Sequence, residues 1–250
     1  MGNQDFGIYI GVGFFFLFGL IVLLVIDAAR RQNLREQDLM ALATRRGLTY
    51  LPNGMQLKSD TRGWFRSRKE DAPIAEFSDF FPLFKTGSSP RIPRALVGKD
   101  EQGTYWYLCD FSYDEHTTTT DNRSDTRTFW YSVVVGMVPM QLPTMHLRPE
   151  TGMDRFGKML GNREMEVESE EFNRRYFIKT SDERMSLDLL HPTAIETLLR
   201  QPALEWQMNG PFAMLYLLGH ISADDYEGLM GCLKQFLDKI PEYYRQDHGY

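Results

Sequence analysis

Cysteine is scarce in this chain, with two in 250 residues. That excludes a disulfide framework and a four-thiolate zinc site. No C-x-x-C occurs, and the five histidines (His116, His146, His191, His220 and His248) include no pair at i, i+4. A metal centre of the usual helical or loop spacing is therefore not expected. The sequence has no G-x-S-x-G elbow, and its one G-x-G, Gly11-Val12-Gly13, lies inside an apolar run and not after a strand. Basic charge is also short. Lys and Arg total 28 against 34 Asp and Glu, a formal net charge of -6, which argues against a general nucleic-acid binder.

What is present is ordinary for a folded chain: 42% hydrophobic and 25% charged residues. This excludes a disordered protein, a collagen-like fibre and a polytopic transporter. The strongest local signal is Phe6 to Ile26, in which 17 residues are apolar or aromatic, four are glycine and none is charged. A helix of that length rises roughly 30 Å, the thickness of a hydrocarbon core. Arg30, Arg31 and Arg35 follow it, and no lysine or arginine precedes it. The positive-inside rule then predicts a single-pass cell-membrane protein with its N-terminus outside and its C-terminal domain in the cytoplasm. A cleaved signal peptide would need a basic start and a shorter apolar stretch. Gly7 and Gly11 form a G-x-x-x-G pair, a candidate homodimer contact between membrane helices. In a reducing cytosol Cys109 and Cys232 are expected as free thiols.

The expected organisation is a transmembrane anchor over 1–26, a juxtamembrane helix over 27–47 closed by Gly47, and a cytoplasmic α+β domain over 48–250. The fold expected after the anchor is an antiparallel sheet with short helices and a C-terminal amphipathic helix. A short strand is expected at 48–51. Residues 95–99 and 104–113 flank Asp100-Glu101-Gln102-Gly103, a hairpin turn with glycine for a positive φ. Residues 126–138 are strand-like, and polar 114–125 is expected as the exposed tip of a long hairpin. Residues 164–168 and 176–179 read as strands. Ser169 and Ser181 are expected to cap helices, and Pro192 to open one. Asn209-Gly210, between apolar runs, reads as a second hairpin turn. Ser222 is expected to cap a helix over 223–240, with Tyr226, Leu229, Met230, Leu233, Phe236 and Leu237 along one buried face and Pro241 at its end.

The block from Glu168 to Ile178, with Phe172-Asn173 and Tyr176, then Ser181-Asp182 and Leu189-Leu190-His191-Pro192, is similar to membrane-anchored bacterial families of unknown function. The match is best over 164–241. The resemblance implies a bacterial inner-membrane protein with one soluble domain, and it implies no activity, cofactor or catalytic residue.

Four groups of residues remain to be weighed as site candidates. Arg62, Trp64, Phe65, Arg66, Arg68 and Lys69 interleave cations with aromatics in a segment, 27–70, that holds ten basic and five acidic residues. Beside a membrane they can lie on anionic lipid, each cation contributing about 1 kcal/mol. His146, Arg148 and Glu150 alternate, so a strand would place them on one face, able to bind an anion or do acid–base work. A salt-bridged edge strand explains them more simply. His116, with Asp121 or Asp125, sits at the expected hairpin tip. Phe77, Phe80, Phe81 and Phe84 fall at i, i+3, i+4 and i+7, a helical stripe interrupted by Pro82.

No reactive constellation is evident, so no catalytic residue, metal or cofactor is assigned. The favoured expectation is an interaction or scaffold module at the inner membrane face, contacting membrane lipid and a protein partner. A domain binding lipid or a small apolar ligand is the first alternative, and a membrane-tethered hydrolase using His146 the second.

Overall fold

The computed structural model describes residues 23, 24, 26, 27, 30–58, 72–118, 124–150 and 165–249. The expected membrane segment therefore lies almost wholly outside the described residues, as do Gly7, Gly11, Asp121 and the run from Arg62 to Lys69. Among the described residues no helix is long and apolar enough to cross a membrane. Leu23, Leu24, Ile26 and Asp27 are helical, and the three apolar side chains are exposed.

The fold is α+β. Helix α1 spans 30–46, and glycine at position 47 stops it with a φ of 64°. Strand β1 is Thr49–Leu51, followed by two-residue strands β2 (Gln56–Leu57) and β3 (Ile74–Ala75). Long strands β4 (Ser88–Lys99), β5 (Tyr105–Thr118) and β6 (Ser124–Pro149) come next. Helix α2 (Glu170–Arg175) leads into β7 (Tyr176–Thr180), and α3 (Glu183–Leu189) and α4 (Pro192–Arg200) precede β8 (Glu205–Leu218). Helices α5 (Ala223–Leu237) and α6 (Glu242–His248) close the chain. The main sheet is antiparallel, ordered β1-β4-β5-β6-β7 with β8 also on β6; β2 and β3 pair in parallel in a small second sheet.

Alternation along the strands buries both faces of the main sheet. Trp106, Leu108, Val134 and Leu215 point to one face and pack with Leu39 and Leu42 of α1 and Leu233 and Phe236 of α5. Tyr107, Cys109, Phe111, Val133 and Met214 point to the other. There they meet Phe77, Phe81 and Phe84 from two 3-10 turns, Glu76–Asp79 and Pro82–Lys85. The expected helical stripe is thus two separate turns. Pro82 cannot donate a backbone hydrogen bond, so the chain restarts at that residue. Because α1 contributes Leu39, Leu42 and Ala43 to the core, it belongs to the same packed body as the sheet.

Several expected boundaries shift. Met165–Glu168 is not a strand; its backbone is held by the Asn173 side chain, which bonds both the N–H and the C=O of Val167. The cap of α3 is Asp182 and not Ser181, because the Asp182 carboxylate accepts from the Met185 N–H. Helix α5 stops at Leu237, and Pro241 starts α6 instead of ending the domain. Ser169, Pro192 and Ser222 take the expected positions, the last as a reciprocal capping box with Asp225.

The largest departure is at Asn209-Gly210. No hairpin forms there, and β8 runs through as one strand. Pairing with β6 jumps from Phe212↔Met137 to Gly210↔Leu142 and then to Met208↔Met145, so both strands are irregular at this point. Gly210 has a φ of 60°, which a hairpin turn and a bulge both require. The bulge bends the ladder sharply. Gln207 Nε2 donates to Tyr216 Oη at 3.2 Å, although nine residues of flat strand would separate them by about 30 Å. Phe80 sits inside the bend: its carbonyl accepts from Asn209 Nδ2 at 2.9 Å. A Cβ at Gly210 would approach the Phe80 ring to 2.5 Å. Gly210→Ala therefore combines left-handed strain with a clash and is expected to cost about 2 kcal/mol. Urea unfolding should show the midpoint fall with the m-value unchanged.

Candidate functional site

Two polar clusters stand out, and both draw on residues that sequence spacing did not connect. The first grows from the bend. Past the bulge, β6 lies between β7 and β8, so it is an interior strand and not the expected edge. His146 is opposite Lys179 of β7 on one side and Gln207 of β8 on the other. Its Nε2 meets Glu205 Oε1 at 2.7 Å, and Tyr216 Oη donates to the same oxygen. The carboxylate partner of His146 is therefore Glu205, not Glu150. Glu150 lies just beyond the end of β6, where its N–H donates to the Arg175 carbonyl. Arg148 stays on the His146 face but places its guanidinium over the Phe177 ring, 4.1 Å from the centroid. Burial raises the Glu205 carboxyl. Hydrogen bonds from His146 and Tyr216, with the charges of His146 and Arg148, outweigh that and hold it below the usual carboxylate range. Burial and the adjacent Glu205 push the Tyr216 phenol up. Glu205 is thus a fixed anion that orients the imidazole.

Beside this group is a cleft of about 300 Å³. One wall is Phe80, Phe81 and Pro82 at the start of the second 3-10 turn. The opposite wall is built by residues 144–146 of β6, 179–181 at the end of β7, and 207–209 of β8. By exposed area the lining is mainly apolar, but seven of its twelve residues, His146 and Lys179 among them, carry polar side chains, and none is acidic. Among the described residues no serine, threonine or cysteine side chain bonds the His146 ring, so the cluster lacks an activated nucleophile. No group of three or more His, Cys, Asp or Glu among the described residues can hold a metal ion.

The second cluster is buried. Asp110 of β5 is 2% exposed and receives both Arg35 guanidinium nitrogens, at 2.7 and 2.8 Å. Tyr226 of α5 donates to it at 2.9 Å, and His220 Nδ1 and Arg94 stand 3.7 and 3.9 Å away. Arg35 also donates to the Ile221 carbonyl. Burial would raise the Asp110 carboxyl, but its contacts with His220, Arg35 and Tyr226 drive it far below the usual range. Next to it, burial pushes the Cys109 thiol up, as expected of an inert buried cysteine. This cluster joins α1, β5 and α5. It reads as a structural tie, because its donors and acceptors are spent on one another.

Of the remaining candidates, His116 lies on the outer rungs of the β5–β6 hairpin, where its Nδ1 contacts Thr126 Oγ1 at 2.9 Å. The missed residues, Glu205, Tyr216, Asp110 and Tyr226, carry no local motif. The only available hint was the parity of Asp110 with Trp106 and Leu108, a charge on an otherwise apolar strand face. No protein-family model, curated protein or solved structure matches the chain. Residue roles at the cleft therefore rest on its own geometry.

Removing the Asp110 charge leaves Arg35 largely buried without a counter-ion. Asp110→Asn is expected to cost about 3 kcal/mol near pH 7. The native carboxyl titrates well below its unfolded value of about 3.9, so its contribution is present above that pH and is lost progressively as pH falls from there through the lower folded value. Urea midpoints of the wild type should drop between about pH 5 and pH 3, and the Asp110→Asn midpoints should depend less on pH over that range.

Proposed function

We propose that this chain is a membrane-tethered binding module that takes a small, largely apolar ligand in the cleft beside His146. The observation that carries this reading is the cleft itself. Its volume of about 300 Å³ is at the lower end for ligand sites, and its exposed surface is mainly apolar, as is usual for such sites, with seven polar side chains around it. The wall is also preorganised. The bulge, the Asn209–Phe80 bond and the His146–Glu205–Tyr216 chain fix its side chains before a ligand arrives.

The tether is the apolar segment 6–26, and the arginines after it place the domain on the cytoplasmic side. Two features support the tether: the exposed apolar side chains of Leu23, Leu24 and Ile26, and the Arg31–Asp27 ion pair one helical turn before α1 meets the core. A helix leaving the membrane and locked to the sheet by Arg35 holds the domain close to the lipid surface.

A partner-recruiting role has a separate support. The β5–β6 hairpin runs on to Thr118↔Ser124, past the last partner of β4 at Asp114 and the last partner of β8 at Tyr131. Its outer rungs form an exposed two-stranded ribbon that includes His116. The hydrolase alternative gains an oriented histidine from the structure but no nucleophile bonded to it among the described residues.

The binding reading is tested with the full chain in phosphatidylcholine nanodiscs carrying ¹³C-methyl methionine. Met145 and Met208 line the cleft and serve as reporters. Adding 1-octanol should shift both resonances in a saturable way. Ser181→Trp, which places bulk at an exposed lining position, should abolish the shift without lowering the melting temperature. Unshifted Met145 and Met208 resonances at saturating octanol would overturn the reading.

A further inference from the structure

We infer that the ligand of this cleft is a small anion, specifically a single-chain carboxylate with a short apolar tail, and that Lys179 is its charge anchor. This rests on the binding reading above and adds the chemical class of the ligand. The argument is one of charge placement. The chain is acidic overall, with a formal net charge of -6, yet no aspartate or glutamate lines the cleft. Lys179, which does line it, has no ion-pair or hydrogen-bond partner among the described residues.

Its neighbours are accounted for. Thr144 Oγ1 donates to Asn209 Oδ1, and Asn209 Nδ2 donates to the Phe80 carbonyl. Gln207 Nε2 donates to Tyr216. The carboxylate beside His146, Glu205, is engaged by His146 and Tyr216 and is not among the lining residues. Lys179 faces His146 directly across the ladder, so the ammonium and the imidazole flank the same stretch of wall.

An anion seated there would pair with Lys179 and leave its tail against Phe80, Phe81 and Met208. The carboxylate fits this wall because Lys179 acts as a point charge and needs no bidentate geometry. The size of the cleft argues for one short chain, since about 300 Å³ is too little for a two-chain lipid. A ligand cation would meet Lys179 with no lining carboxylate to offset the repulsion.

The test compares three probes of equal chain length, octanoate, 1-octanol and octylammonium, by the Met145 and Met208 methyl shifts in phosphatidylcholine nanodiscs. Octanoate should bind up to about fivefold more tightly than octanol, the upper range for a solvent-accessible ion pair, and octylammonium should bind most weakly. Lys179→Met should remove the octanoate preference, so that octanoate and octanol bind the variant with equal affinity.

Equal binding of octanoate and octanol to the wild type would overturn this inference and leave the binding reading standing. A preference that survives in Lys179→Met would also overturn it, by removing the anchor. Methyl shifts with anionic phosphatidylglycerol nanodiscs and no added probe would replace the soluble carboxylate with membrane lipid. Absence of shifts with all three probes would overturn both the inference and the reading beneath it.

Discussion

The bend in the β6–β8 ladder is the constraint on which the candidate site depends. A strand of 26 residues cannot stay flat in a domain of this size, because it would extend about 86 Å. The chain resolves this at one place, where two register shifts and a left-handed glycine turn the ladder through a corner. The side chains of the candidate site lie around that corner. Glu205 and Tyr216 are on opposite sides of it, His146 reaches Glu205 from the neighbouring strand, and Phe80 fills the inside. A flat sheet built from the same residues would keep His146 and Glu205 as diagonal neighbours but would take Tyr216 and Phe80 away from them and leave no cleft.

The buried tie at Asp110 does a different job. It connects the first helix to the middle of the sheet and to α5 through one carboxylate. An apolar contact of the same volume can be as stabilising as such a pair. What the pair adds is direction, since a bidentate guanidinium fixes both the rotation and the distance of α1 against the sheet. On the proposed membrane tether, that rotation would decide which surface faces the lipid. Arg45 and Arg46 strengthen the same docking by sharing Glu227 of α5.

The sequence made much of this architecture legible. Caps at Ser169 and Ser222, the helix start at Pro192, the Asp100–Gly103 turn and the alternating strands could be read because each depends on residues close in sequence. The failures are equally physical. Asn209-Gly210 carries the same φ requirement in a hairpin as in a bulge, so local chemistry cannot separate the two. His146 and Arg148 were found by parity, but their grouping with Glu150 assumed that neighbours in sequence stay neighbours at the site. The strand ends at Pro149, and the place of that carboxylate is taken by Glu205, 59 positions away. Asp110 was hidden for a similar reason. Its partners come from two other helices and the loop before α5, so no spacing rule reports them.

The account stands or falls on the corner and the side chains it brings together. The most direct measurement is the long-range ¹H–¹⁵N spectrum of the His146 imidazole, recorded for the wild type and for Tyr216→Phe. With the corner in place, Tyr216 shares the Glu205 oxygen that holds His146 Nε2, so loss of the phenol should move the ¹⁵Nε2 resonance and leave the other histidines unchanged. An imidazole spectrum indifferent to Tyr216→Phe would mean that β8 does not fold back at Asn209-Gly210, and the cleft and the ligand assignment would be contradicted together.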